Sequence, residues 1–262
     1  MSTYAFVASH HTVDLTTVAA LSAGASGVPD VLASDMARQL GVKGAVVLAT
    51  CNRLEMYVQL HVSAHVPMVR ELIVDSIART SGLDKELVDS SFDVYADDEA
   101  ARHLLTVASG LESAVVGERE IAGQVRRALA AAQAKAQEDG VPLPGELVQL
   151  FEHAAHTARQ VGQHTALGAQ GRSIVSVALD LADEVAEKDW PTRRALIFGT
   201  GAYAGATIAA LRERGCTDIW VNSRSGRAAE FAAKREVSAV PVDGMEQAMA
   251  SADVIIGCSG GS

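Results

Sequence analysis

The chain has 262 residues, 48% hydrophobic and 21% charged, more than a single core usually fills, so two domains are the starting expectation. Its 32 acidic against 22 basic side chains leave a formal charge of −10, which excludes nucleic-acid binding through a broad basic surface and confines any RNA contact to a local patch. Three widely spaced cysteines, Cys51, Cys216 and Cys258, argue against a disulfide framework or a zinc site, and the absence of a secretory pattern or a run of roughly 18 apolar residues points to a soluble, cytoplasmic chain without a membrane partner.

Residues 3–9 (TYAFVAS), 46–50 (VVLAT) and 55–61 (EMYVQLH) read as strands. Apolar spacing predicts helices at about 28–40, 67–81 and 98–113, the last with Asp97 and Asp98 as capping candidates. From Glu120 to Glu138, Ile121, Val125, Ala128, Leu129 and Ala132 recur at helical spacing until Gly140, Pro142 and Pro144 stop the run. A further helix over about 145–164 carries Leu147, Leu150, Phe151, Ala154 and Ala158 on one face. The GAQG segment at 168–171 is the expected hinge, which divides the chain into an α+β domain over 1–167 and a second domain over 168–262.

After a helix at about 173–187 the second domain alternates strand and helix: ALIFG, a helix from Ala204 to Arg214, DIWVN, a helix near 225–235, SAVPV, another helix, and DVIIG. That rhythm predicts a doubly wound parallel sheet, read as cut short because four strands precede Ser262 where a dinucleotide fold has about six. At its first strand-to-helix turn, Gly199, Gly201 and Ala204 stand in GxGxxA spacing, with Thr200, Ala202 and Tyr203 between them. The first glycine permits the bend, the second lets a pyrophosphate approach backbone N–H groups, and the helix N-terminus faces it. A structural glycine turn is the plainer alternative. The fold class is therefore α/β, an α+β domain followed by an incomplete Rossmann-like sheet. The second strand ends in Asn222, Ser223, Arg224 and Ser225 with no carboxylate, and Arg224 offers a fork for a ribose 2′-phosphate, which favours NADPH over NADH. A solvated turn arginine is the alternative there.

Cys51 closes a short apolar strand inside ATCNRLEMY, beside Asn52 and Arg53. A neighbouring guanidinium favours the thiolate, the nucleophilic form, although a free cysteine is as often a small core residue.

The TCNRLE stretch at 50–55 resembles the signature of glutamyl-tRNA reductases, and RHLLTVASGLESAVVGEREIAGQV at 102–125 is similar to that family's second signature. SHHT at 9–12 resembles its N-terminal strand-end motif, and the glycine turn and SRSGRA follow in the family's order. The resemblance spans nearly the whole chain. It implies that Cys51 forms a thioester with the glutamyl group, that Thr50, Asn52 and Arg53 hold that group, and that Ser113, Glu118, Arg119, Glu120 and Gln124 contact the substrate. It makes His103 a general acid or base, a role its position on a helix would not suggest. Glu120 stands where glutamine is common, and RQVGQHTALG at 159–168 lacks the family's arginine and acidic residue. The implied activity is NADPH-dependent reduction of glutamyl-tRNA(Glu) to glutamate-1-semialdehyde, the first step of tetrapyrrole (porphyrin, heme) synthesis, with glutamate-1-semialdehyde aminomutase as an implied partner. Family members form homodimers through a C-terminal helical domain that does not appear here. Arg119, Arg126 and Arg127 could form a local tRNA patch or a solvated helix face. Two other readings stay open: an NADP-dependent oxidoreductase acting on a free small molecule, and a non-catalytic shortened relative.

Overall fold

The computed structural model describes residues 1–113, 116–117, 120–165, 174–184, 189–200, 202–224 and 226–258. The chain divides into two compact units, Met1–Gly171 and Arg172–Ser262. The expected hinge at 168–171 lies outside the described residues.

The first unit is built on an antiparallel sheet of four strands, β1 (Ser2–Ser9), β2 (Val42–Ala49), β3 (Arg53–Leu60) and β4 (Asp93–Ala96), in the order β2-β3-β1-β4. Its helices are α1 (Leu15–Gly24), α2 (Val28–Ala33), α3 (Asp35–Gln39), α4 (Val66–Ser81), α5 (Lys85–Ser90), α6 (Asp98–Ala108), α7 (Glu120–Glu138) and α8 (Gly145–His164). Strand β3 is buried from end to end, and its period of two sorts its side chains between two cores. Leu54, Met56, Val58 and Leu60 pack with Leu21, Leu32, Ile73 and Ile77 of α1, α2 and α4. Tyr57 faces the other way, among Leu104 of α6, Val125 of α7 and Phe151 of α8. Its ring meets Phe151 edge-on at 5.2 Å, a contact worth about 0.5–1.5 kcal/mol beyond area burial. Arg53 and Glu55 share the parity of Tyr57, so the chain's alternation drives two charged side chains toward a helix-covered face.

The expected helix over 28–40 is two helices. Ser34 adopts ψ 160°, which ends α2, and its Oγ accepts from Ala37 N at 3.2 Å, which starts α3. Helix α1 was not anticipated because its apolar residues are spread around the axis instead of forming a stripe, yet Asp14 caps it by accepting from Thr17 N at 2.9 Å. Leu15–Ala33 is long and apolar enough by composition to cross a membrane, but Val18, Leu21, Ala25, Val28 and Leu32 within it are core residues. The helix expected over 98–113 stops at Ala108, and Asp97 does not cap it with its side chain; that carboxylate accepts from Thr3 N at 3.0 Å and ties β1 to the start of α6. The short β4 and α5 had no sequence signal long enough to read.

The second unit holds β5 (Arg194–Phe198), β6 (Asp218–Asn222), β7 (Ser238–Ala239) and β8 (Val254–Gly257), all parallel, in the order β7-β6-β5-β8. Helices α9 (Ile174–Glu184), α10 (Ala202–Glu213), α11 (Ala228–Ala233) and α12 (Met245–Ser251) accompany them. Leu179, Ile208, Leu211 and Phe231 cover one face of the sheet and Ala248 the other, so the sheet is doubly wound. Third, second, first, fourth is the first four places of the six-strand dinucleotide order, and the reversal between β5 and β8 opens a crevice at the carboxyl end of β5. Strand β7 is shorter than SAVPV because Pro241 has no N–H to continue the ladder.

Candidate active site

Strands β2 and β3 are joined by Thr50, Cys51 and Asn52. The turn is closed by Thr50 N donating to Arg53 O at 2.9 Å and by Asn52 N donating to Thr50 Oγ1 at 3.2 Å. Asn52 O accepts from His10 N at 3.0 Å, which extends the pairing of Ser9 with Arg53 past the end of β1. Cys51 is exposed at the tip of this hairpin. Cys216 and Cys258 differ: burial pushes both thiols up, and each bonds within the second unit, Cys216 to Arg193 O at 3.3 Å and Cys258 with Thr207 Oγ1 at 3.4 Å.

Beneath the tip, Arg53 is 2% exposed and Glu55 fully buried. Arg53 Nη1 donates to Glu55 Oε1 at 2.7 Å and its Nη2 donates to the carbonyl of Glu112. A buried guanidinium must be matched inside the protein, and this one pins the 109–113 segment to the hairpin. His11 Nε2 adds a second tie, 3.3 Å from Glu112 Oε2. His103, one turn before the end of α6, places Nε2 3.0 Å from Glu55 Oε1 and stacks on Tyr95 with centroids 5.1 Å apart. Tyr57 donates to Glu55 Oε2 at 2.7 Å. Burial alone would raise the Glu55 carboxyl, but the His103 hydrogen bond and the Arg53 charge outweigh it and hold it below its ordinary value. Burial, then the Glu55 charge, keeps the Tyr57 phenol well above the usual tyrosine range, so it remains a donor. Burial and the neighbouring His11 lower the His10 imidazole.

The structure thus joins Arg53 and His103 through Glu55, and Thr50, Cys51 and Asn52 form the hairpin tip that precedes Arg53. Ser113 is buried within the segment that Arg53 and His11 tie down through Glu112, and Glu120 and Gln124 stand one turn apart at the start of α7, half-buried. Glu118 and Arg119 lie outside the described residues. Sequence reasoning assigned no role to Glu55, Tyr57, Tyr95 or Glu112. The signal for the first two was present, since Arg53, Glu55, Tyr57 and Gln59 alternate with the apolar Leu54, Met56, Val58 and Leu60 along one strand.

At the crevice of the second unit, Gly199 has φ +114°, which side-chain-bearing residues rarely adopt, and its N–H donates to Asn222 O at 2.8 Å, fastening the turn to the end of β6. Thr200 Oγ1 lies 3.5 Å from Ser223 Oγ, Arg224 is exposed beside them, and Ala204 is fully buried where α10 packs on the sheet. Tyr203 is half-buried in the first turn of α10, which begins at Ala202. Gly201 lies outside the described residues. A tight turn, a helix start, two hydroxyls and a guanidinium fit a nicotinamide dinucleotide.

Comparison with known proteins agrees with both halves. The family model described as glutamyl-tRNA(Glu) reductase, N-terminal domain, matches residues 7–165, and that described as shikimate / quinate 5-dehydrogenase matches 180–262. Glutamyl-tRNA reductase of Kocuria rhizophila is 57% identical over 100% of this chain and 58% of its own length. The protein of the same name from Paenarthrobacter aurescens is 51% identical over 99% of this chain and 58% of its own. A solved structure of glutamyl-tRNA reductase from Methanopyrus kandleri superposes with a TM-score of 0.51 at 26% identity, covering 97% of this chain and 58% of that one. This chain therefore spans 58% of the length of these relatives. With its hairpin cysteine, its dinucleotide crevice and a family model covering more than half of its residues, the chain belongs to the glutamyl-tRNA reductase family.

Proposed function

We propose that this chain carries the thioester-forming and NADPH-binding parts of a cytoplasmic enzyme that reduces glutamyl-tRNA(Glu) to glutamate-1-semialdehyde, the first step of tetrapyrrole synthesis. The observation that carries the reading is an exposed cysteine at a hairpin tip whose base is locked by a buried Arg53–Glu55–His103 cluster.

In this reading His103 takes the Cys51 proton and the thiolate attacks the ester carbonyl. The carbon–sulfur bond forms, the carbon–oxygen bond to the terminal ribose breaks, and the proton passes to the ribose oxygen. Thr50, Asn52, Arg53, Ser113, Glu118, Arg119, Glu120 and Gln124 hold the glutamyl group. Bound NADPH supplies the hydride that, with one proton, converts the thioester to aldehyde and restores the thiol. Thr200, Tyr203 and the backbone from Gly199 to Ala204 would hold its pyrophosphate, and Ser223 with Arg224 its 2′-phosphate. Arg126, Arg127 and Arg159 are exposed, and Arg126 and Arg159 line one groove between α7 and α8 with His156, a local patch for tRNA on an acidic chain. An aminomutase that consumes the reactive aldehyde and a second copy of the protein are the partners this reading implies.

The test is release of glutamate from glutamyl-tRNA without NADPH, which needs thioester formation and its hydrolysis alone. Release that disappears in Cys51→Ser supports the reading; no release from folded protein whose Cys51 still alkylates removes it.

A further inference from the structure

Glu55 is the most deeply buried charge among the described residues of the first unit, and the reaction above does not use it. Its oxygens receive three side-chain donors: Arg53 Nη1 at 2.7 Å and His103 Nε2 at 3.0 Å on Oε1, and Tyr57 Oη at 2.7 Å on Oε2. Arg53 already answers the carboxylate's charge, so His103 need not be an imidazolium for the cluster to be neutral. An ionised carboxylate has no proton to give, so the proton shared with His103 belongs to Nε2, and a neutral ring then carries its lone pair on Nδ1. Stacking on Tyr95, 24° from parallel, fixes the plane of the ring.

We propose that Glu55 is a positioning residue for His103: it holds Nε2 protonated and leaves Nδ1 as the nitrogen that takes the proton from Cys51 and returns it to the ribose oxygen. The proposal rests on the cysteine chemistry set out above. When Nδ1 is protonated, the imidazolium lies against Glu55, which stabilises it without moving. Glu55→Gln keeps the volume but offers His103 an amide N–H as well as a carbonyl, so the ring can turn to the tautomer with Nε2 bare and Nδ1 blocked.

The test has two arms on the whole chain. Long-range ¹H–¹⁵N NMR of the His103 ring, assigned by its loss in His103→Asn, reads the tautomer in the unsubstituted protein; Nε2–H is expected, and Nδ1–H overturns the proposal. Steady-state release of glutamate from glutamyl-tRNA then compares Glu55→Gln with the parent. The expected result is a fall in kcat of about ten-fold or more with KM unchanged; a folded variant with parental kcat overturns the proposal. If Glu55→Gln does not fold, the NMR arm decides alone. If the parent releases no glutamate, the substrate reading fails while the tautomer still tests the positioning role.

Discussion

A carboxylate with no solvent exposure survives only if every charge and proton around it is matched, and Glu55 is matched by Arg53, His103 and Tyr57. Removing one partner is therefore costly. Arg53→Ala leaves Glu55 uncompensated and is expected to lower stability by about 3–5 kcal/mol in urea unfolding of the first unit. Arg53→Lys should lose less, because an ammonium can keep Glu55 but cannot also reach the Glu112 carbonyl. The same carboxyl sets a pH dependence. Because its folded value is depressed, its contribution is fully present above the ordinary value of 4.5 and is lost as pH falls through the folded value. Unfolding free energy measured from pH 7 downward should decline below about 4.5, and Glu55→Gln should flatten that decline. At this scale the exposure of Cys51 between polar neighbours was legible, whereas the burial of Arg53 was not: sequence places a guanidinium beside the cysteine but does not show that strand parity turns it inward.

Among elements, each unit's candidate site rests on a turn fixed by backbone hydrogen bonds, the 50–52 hairpin tip in the first and the Gly199 turn in the second. A β-carbon at Gly199 would have to accept φ +114°, a strain of about 1–2 kcal/mol, and would stand where a pyrophosphate approaches. Gly199→Ala should abolish NADPH binding in a fluorescence titration while leaving NADPH-independent release of glutamate unchanged. Gly44 lies at the irregularity where β2 pairs with β3, and an added Cβ would stand 2.5 Å from Pro144 Cδ. Gly44→Ala should lower thermal stability by about 1–3 kcal/mol through overpacking. Long helices with a continuous apolar stripe, α4, α7 and α8, were readable to within a residue or two. Helix α1, apolar all round, and the break at Ser34 were not, because a polar cap inside an apolar stretch can end one helix and begin another without interrupting the pattern.

For the whole molecule, the parallel sheet of the second unit was the most legible feature: a repeated strand–helix rhythm calls for parallel neighbours, and β5 to β8 are all parallel. The antiparallel sheet of the first unit was less so, because β4 is four residues long and its partner β1 lies some ninety positions earlier. The net charge of −10 bears on the substrate. If about three arginines contact phosphates, binding of glutamyl-tRNA should weaken with salt at a log–log slope of about −2 to −3, much shallower than for a broad basic surface. Filter-binding titrations between low and moderate salt would read that slope.

The most direct measurement of the central claim is mass spectrometry of the Cys51 peptide after an acid quench, with glutamyl-tRNA and without NADPH. A glutamyl adduct on Cys51, released by hydroxylamine and absent from Cys51→Ser, is the predicted result. An unmodified Cys51 peptide from folded, thiol-reactive protein that binds the tRNA would contradict the account.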